Sequence, residues 1–188
     1  VAILKWTETE RLAAVIRTGL LDAPVEKVFD DYVRLAADLL NMPIAAINLI
    51  AEDRQWSVAV LGLGARSAPL SVAFCPEALL GGLVVPDARD DPRFSMNPLV
   101  SGPPGICFYA GVPLIFEGLP VGAFCVVDTK PKYDFDDWQH TALLVLAEQA
   151  GFQIELRSAR SRARLSHELE AIEWNLRDAT DRLLRHID

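Results

Sequence analysis

Apolar and polar positions alternate along the chain with two periods. Residues 7–18 carry the helical period; Thr7 or Thr9 can cap this segment, Glu8 and Glu10 fall in its first turn, and Gly19 stops it. Asp22-Ala23-Pro24 opens a second helix. Its stripe is Val25, Val28, Phe29, Tyr32, Leu35, Ala36, Leu39 and Leu40 at three-and-four spacing, broad enough to lie on a sheet, and Asn41 and Pro43 end it. Ile44–Ile50 reads as a buried strand. After the turn Ala51-Glu52-Asp53, Arg54–Leu61 returns with Gln55, Ser57 and Ala59 alternating against Trp56, Val58 and Val60, which makes an antiparallel hairpin. Residues 62–71 form a loop, 75–80 a short helix with Pro76 in its first turn, and 83–85 a short strand.

Residues 87–105 are irregular and rich in Asp, Pro and Gly, with one helical turn near 97–101; so long a loop in a compact domain is usually functional. Residues 106–116 and 121–128 form a second hairpin, linked by residues 117–120, both strands β-branched and aromatic. Asp134 or Asp136 then caps a long helix beginning near Asp137, with Leu143, Leu144, Leu146, Ala147 and Ala150 on its apolar side. The order helix, helix, hairpin, irregular region, hairpin, helix predicts an α+β domain with an antiparallel sheet and helices packed on one face. Further along the last helix, Leu165, Leu169, Ile172, Leu176, Ala179 and Leu183 keep four-and-three spacing for about three heptads. Glu168, Glu170, Glu173, Arg177 and Asp178 flank them. Upstream the stripe weakens at Ser158 and Arg162. A lone helix with this stripe is marginal in water, so a partner helix is required. The expected division is a sensor domain over 1–155 and a coiled-coil dimerisation helix over 156–188.

Composition narrows the function. The 188 residues are 51% hydrophobic, enough for one domain with its own core. The net charge of −8 repels phosphate backbones and anionic lipid, which argues against nucleic acid and membrane as partners. The basic run Arg157, Arg160, Arg162, Arg164 reads as a solvated helix face. Three cysteines without a CxxC or a flanking histidine point away from disulfides and toward a reducing, cytoplasmic location. There is no apolar run of transmembrane length, and residues 1–5 are too short for a signal peptide. The chain stops within its last helix, as a piece of a longer protein would.

A series of motifs adds a family. Glu10-Arg11-Leu12-Ala13-Ala14, Gly19-Leu20-Leu21-Asp22, Glu52-Asp53-Arg54-Gln55-Trp56, Phe74-Cys75, the stretch 84–94, Asn97-Pro98-Leu99-Val100 and the stretch 108–114 stand in an order and spacing that resembles a GAF domain of the bacterial signalling type, over residues 10 to 155. The resemblance implies a six-stranded antiparallel sheet, helices behind it and a ligand pocket on the other face under the irregular segment. It also implies dimerisation through terminal helices, and an output partner such as a histidine kinase or diguanylate cyclase. Members bind cyclic nucleotides, bilins, haem or small metabolites, and some bind nothing known. Two positions depart from similar members: Pro76-Glu77 where a histidine often follows the Phe-Cys pair, and Cys107 where an arginine often precedes Phe-Tyr-Ala-Gly. Without a Cys-His pair the resemblance implies no covalent bilin, and the NKFDE-type signature of the phosphodiesterase relatives is absent.

Candidate chemistry follows. Trp56, Phe74, Phe108, Tyr109 and Phe124, with Cys75 and Cys107, are candidate pocket residues and Asp87 a polar contact; a filled core is the alternative. Cys75, Cys107 and Cys125 lie on separate elements among apolar neighbours and read as structural thiols, with Cys75 the exception because a helix start favours a thiolate. One GAF relative reduces free methionine sulfoxide through cysteines, so a reductase is the alternative function; it requires two cysteines close enough to bridge. His140, His167 and His186 form no metal-ligand cluster, and no metal is expected. Asp87, Asp90 and Asp91 read as loop-capping groups, with Arg93 paired to one of them. Ser166-His167-Glu168-Leu169 is similar to the start of a histidine-kinase phospho-acceptor box but continues Glu170-Ala171-Ile172 in place of a basic residue and a proline. The reading is a sensor domain working as a parallel homodimer, with a small-molecule ligand and an output domain as further partners.

Overall fold

The computed structural model describes residues 6–184, with side chains through residue 178; the seam positions Ala179 and Leu183 therefore lie outside the described residues. The elements are α1 (Glu8–Arg17), α2 (Lys27–Leu40), β1 (Ile44–Ile50), β2 (Arg54–Leu61), β3 (Ser67–Pro69), β4 (Leu83–Val85), α3 (Pro98–Ser101), β5 (Phe108–Phe116), β6 (Leu119–Asp128) and α4 (Asp137–Leu184), with 3-10 turns at Leu70–Val72 and Cys75–Ala78. Six strands form one sheet in the order β3-β2-β1-β6-β5-β4, with every neighbour antiparallel.

Strand alternation gives the sheet two buried faces. Ala45, Ile47 and Leu49 of β1, Phe108, Ala110, Val112 and Leu114 of β5, and Phe124 and Val126 of β6 point into a core closed by α1, α2 and α4. Ile44, Ala46 and Ile50, Tyr109, and Ala123, Cys125 and Val127 point the other way. There the 3-10 turn at Cys75–Ala78 and the irregular segment around Phe94, Val100 and Ile106 cover them. The three long helices do share one face, and the second face is roofed by loop.

Each helix begins where its chemistry allows. Thr7 caps α1 in a reciprocal box: its hydroxyl accepts from the Glu10 amide, and its own amide donates to the Glu10 carboxylate at 2.8 Å. Arg11 is buried under α1, donates from Nη1 to the Ile50 carbonyl at 2.8 Å and pairs with Glu8 at 2.6 Å. It fastens α1 to the end of the central strand. Replacing Arg11 with alanine leaves the Ile50 carbonyl without its donor and should cost about 2 kcal/mol; urea unfolding reads it, and an unchanged midpoint would refute this role.

The second helix starts at Lys27, later than the expected Asp22-Ala23-Pro24. Asp22 has φ 56°, outside the right-handed helical region, and Pro24 disfavours helical backbone at Ala23. Val25 is thus outside the helix and exposed, as are Leu35 and Leu39 on its outer side; Phe29, Val33, Ala36, Ala37 and Leu40 are the buried face. The loop expected over 62–71 contains the short edge strand β3. Strand β5 starts at Phe108, two residues later than expected. Glu117 and Gly118, with φ 50° and 76°, make a two-residue hairpin turn, so β6 begins at Leu119.

Asp136 and Gln139 cap α4 reciprocally, with N–H to carbonyl or carboxylate distances of 3.0 and 2.8 Å. Its contacts with the domain run past residue 155. Arg157 donates to the Thr18 and Gly19 carbonyls and pairs with Glu26, Ser158 Oγ donates to the Arg17 carbonyl, and Arg162 pairs with Glu117. The inner face of α4 keeps its phase past the polar positions Ser158 and Arg162. Leu143, Ala150, Ile154 and Ser158 are buried, while Leu165, Leu169, Ile172 and Leu176, spaced by three, four or seven along the same face, are exposed beyond the sheet. Among the described residues no helix is long and apolar enough to cross a membrane.

Candidate functional site

The loop-roofed face holds a partly open cavity of about 250 Å³. Its floor is the sheet: Ile44, Ala46 and Asn48 of β1, Gln55 and Ser57 of β2, Tyr109 of β5, and Cys125 and Val127 of β6. Phe74, Cys75, Leu99, Pro104 and Ile106 close it from above. The roof is held by aromatic stacking, Phe94 on Phe74 at 4.2 Å between centroids and Phe74 on Tyr109 at 5.2 Å. Among the described residues no charged side chain lines it.

A hydrogen-bonded chain crosses the floor. Ser57 Oγ donates to Asn48 Oδ1 at 2.6 Å. Asn48 Nδ2 reaches both Cys75 Sγ, at 3.2 Å, and Cys125 Sγ, at 3.4 Å. The Tyr109 hydroxyl donates to Cys75 Sγ at 3.2 Å. The two sulfurs are 3.9 Å apart. Cys75 is the more acidic of the pair: the contact from Cys125, then those from Tyr109 and Asn48, pull its thiol below the ordinary value, against the opposing effect of burial. Cys125 is pushed well up by its bond to Cys75 and by burial, and burial followed by the neighbouring sulfurs pushes Tyr109 well up. One acceptor stays open: Gln55 Oε1 is buried without a hydrogen-bond partner beside the cavity. Unmet buried acceptors are costly, so this one is a natural contact for an N–H or O–H of a guest.

Of the expected pocket residues, Phe74, Cys75 and Tyr109 line the cavity. Trp56, Phe108 and Phe124 do not; they face the helices. Each stands one residue from a side chain that does line it: Trp56 between Gln55 and Ser57, Phe108 before Tyr109, Phe124 before Cys125. Trp56 packs under the Arg66 guanidinium at 4.7 Å. Cys107 is buried elsewhere, its Sγ 3.6 Å from the Gly105 carbonyl, and it does not line the cavity. The sequence placed the three cysteines on separate elements, with Cys75 the exception to a structural role; all three are buried and free, and the sheet and the 3-10 turn bring Cys75 and Cys125 together. Asn48, Gln55, Ser57 and Cys125 were missing from the expected site. Asn48 was visible as the one polar residue in the buried run Ile44–Ile50.

Asp87 lies outside the cavity, in the loop after β4. Its carboxylate accepts from Arg89 Nε and Nη2 at 2.9 and 2.6 Å, from the Arg89 amide at 3.1 Å, and from the Tyr133 hydroxyl at 3.4 Å. Arg93 pairs with Asp91 in the same way at 2.7 Å. The Arg89 side-chain bonds hold the Asp87 carboxyl at about 2, below its ordinary 3.8. A carboxylate with a depressed folded value stabilises the fold above the unfolded value and loses that contribution as pH falls through the folded one. The thermal midpoint should therefore fall between about pH 4 and pH 2, and Asp87→Asn should flatten that part of the profile; an Asp87→Asn profile parallel to the parent would contradict it. His167 is exposed on α4, away from the cavity.

A GAF domain family profile matches residues 24–154. The chain belongs to the GAF domain family. Over 148 residues this GAF domain is 41% identical to the cyclic di-GMP phosphodiesterase PA2567 of Pseudomonas aeruginosa, an alignment covering 74% of the chain and 25% of that protein. The chain thus spans about a quarter of that relative's length. It is also similar in structure to the GAF domain of a phosphoenolpyruvate-protein phosphotransferase from Acinetobacter, with TM-score 0.56 and 20% identity over 84% of this chain and 97% of that one. Free methionine-R-sulfoxide reductase from Neisseria meningitidis, solved with its substrate, gives TM-score 0.56 and 16% identity over 85% and 96%. At these identities the two structures speak for the fold alone.

Proposed function

We propose that this GAF domain is a regulatory sensor. It takes a small neutral molecule into the cavity and relays the occupancy through α4, paired with α4 of a second copy, to an output domain. The carrying observation is the cavity itself: about 250 Å³, apolar walls, an uncharged polar edge at Asn48, Gln55 and Ser57, and an unmet acceptor at Gln55 Oε1. An engineered apolar cavity of about 150 Å³ holds a benzene, so this one suits a guest of roughly ten heavy atoms. A phosphate in a site without a cationic side chain would be left uncompensated, which argues against a cyclic nucleotide. The exposed stripe at Leu165, Leu169, Ile172 and Leu176 supports the relay, because a projecting apolar face of this pitch is covered when two helices pair. The 41% identity to a cyclic di-GMP phosphodiesterase favours an output enzyme of nucleotide signalling, with a histidine kinase or diguanylate cyclase in the same role as the other choices.

Thermal-shift screening against neutral metabolites tests the reading. A guest at a hundred times its dissociation constant should stabilise the fold by about 2.7 kcal/mol, and Ala46→Trp, which fills the cavity, should abolish the shift. A shift that survives Ala46→Trp would place binding elsewhere. A second reading, a thiol-dependent reductase of a small oxidised molecule, is favoured by one observation, the 3.9 Å approach of Cys75 and Cys125.

A further inference from the structure

Cys75 and Cys125 come from opposite sides of the cavity, the roof turn and the floor strand, and both border its space. Thiols that serve only as packing need no polar partners. These two share the Asn48 amide, and Cys75 also takes the Tyr109 hydroxyl, so Cys75 is set up to carry negative charge beside a less acidic thiol. A thiolate next to a second thiol, both buried and bordering a small, partly open cavity, is the arrangement of a redox couple reached by small oxidants. The absence of charge on the lining, among the described residues, narrows the oxidant. Nothing there would hold the ends of a zwitterion or the carboxylates of a peptide disulfide.

We propose that Cys75 and Cys125 form a redox-active dithiol that reduces a small neutral hydroperoxide in the cavity, Cys75 attacking and Cys125 resolving. This rests on the second reading above and names its substrate class. Cys75 Sγ attacks the terminal peroxide oxygen. The S–O bond forms, the O–O bond breaks, and the departing alkoxide takes the proton that Cys75 released on ionising, which leaves an alcohol and the Cys75 sulfenic acid. Cys125 Sγ then attacks that sulfur. The S–S bond forms, the S–O bond breaks, and the hydroxyl leaves as water with the Cys125 proton. Two thiols and one hydroperoxide give one disulfide, one alcohol and one water, and an external dithiol restores the pair by exchange. Bridging requires the sulfurs to close from 3.9 Å to a bond of about 2.0 Å, by a shift of the roof turn toward β6. The resulting bridge ties roof to floor and removes the sulfur acceptors that Asn48 and Tyr109 now use.

The chain is treated with tert-butyl hydroperoxide, and in a parallel arm with the neutral methyl phenyl sulfoxide. Thiols are then alkylated and the peptides mapped by mass spectrometry. With the hydroperoxide, the parent chain and Cys107→Ser should both yield a Cys75–Cys125 disulfide that an added dithiol reverses. Cys125→Ser should accumulate a dimedone-reactive sulfenic acid at Cys75, and Cys75→Ser should lose the oxidation altogether. Mapping of the parent chain decides the matter even if a variant fails to fold. A disulfide with the sulfoxide but not the hydroperoxide would overturn the substrate class and keep the reductase reading. Free thiols in both arms would overturn both. Oxidation of Cys125 in Cys75→Ser at the parent rate would overturn the assigned order.

Discussion

Gly122→Ala should remove a large part of the stability of the domain. Gly122 sits in β6 opposite Leu49, where the two central strands meet. A Cβ there would lie 1.8 Å from the Asn48 carbonyl oxygen, 2.8 Å from its carbon and 2.9 Å from Leu49 Cα. All three are backbone atoms, so no side chain can swing aside; β1 and β6 must separate, and Asn48, the hub of the cavity floor, moves with them. Overpacking of this kind costs about 3 kcal/mol or more, a large part of the 5–15 kcal/mol typical of a domain. Gly118→Ala is the control: it meets nothing within 4 Å, and its φ of 76° should cost only about 1 kcal/mol. Urea unfolding of the two variants reads the difference, and equal midpoints would refute the close approach.

The second large effect concerns the exit helix. Leu169 and Ile172 are 57% and 54% exposed in the single chain, on the stripe continuous with the sheet-facing side of α4. In the proposed pair each would be buried. Leu169→Glu combined with Ile172→Glu removes four apolar side chains from the paired form, at about 1.5 kcal/mol each or more, and adds facing like charges. The dimer dissociation constant should rise by roughly a thousandfold or more. Freed of a partner, the helix past Ser158 should also fray, because an isolated helix of that length is marginal in water. Amide exchange in residues 160–178 should accelerate while β1 and β6 keep their protection. An unchanged dissociation constant with unchanged exchange would refute the seam.

Periodicity made the elements legible, and chemistry at their ends set where they begin. The run Ile44–Ile50, the alternation after Arg54 and the Asp136 cap each stated a local rule that the packed molecule obeys. The helix start misread at Asp22 failed because Pro24 looked like a first-turn proline, whereas the left-handed backbone at Asp22 makes that segment a turn. The site was harder to read for a different reason. Size suggested that the large aromatics would surround a guest. In a sheet buried on both sides, the parity of each strand decides which face a residue serves, and Trp56, Phe108 and Phe124 have the wrong parity. Had Asn48 been used to mark the polar face, two-residue alternation would have selected Gln55, Ser57, Tyr109 and Cys125. The meeting of Cys75 with Cys125 was not legible at all. It depends on how the roof turn docks onto β6, a contact between residues with no local rule to join them.

The account as a whole stands on α4 acting in pairs, since a cavity on one chain informs an output domain only through the element that leaves it. Sedimentation equilibrium of the unmodified chain at high micromolar concentration measures this most directly. A mass of two chains, falling to one when Leu169 and Ile172 are replaced by glutamate, is the predicted result; a mass of one chain for the unmodified protein across that range would contradict the relay.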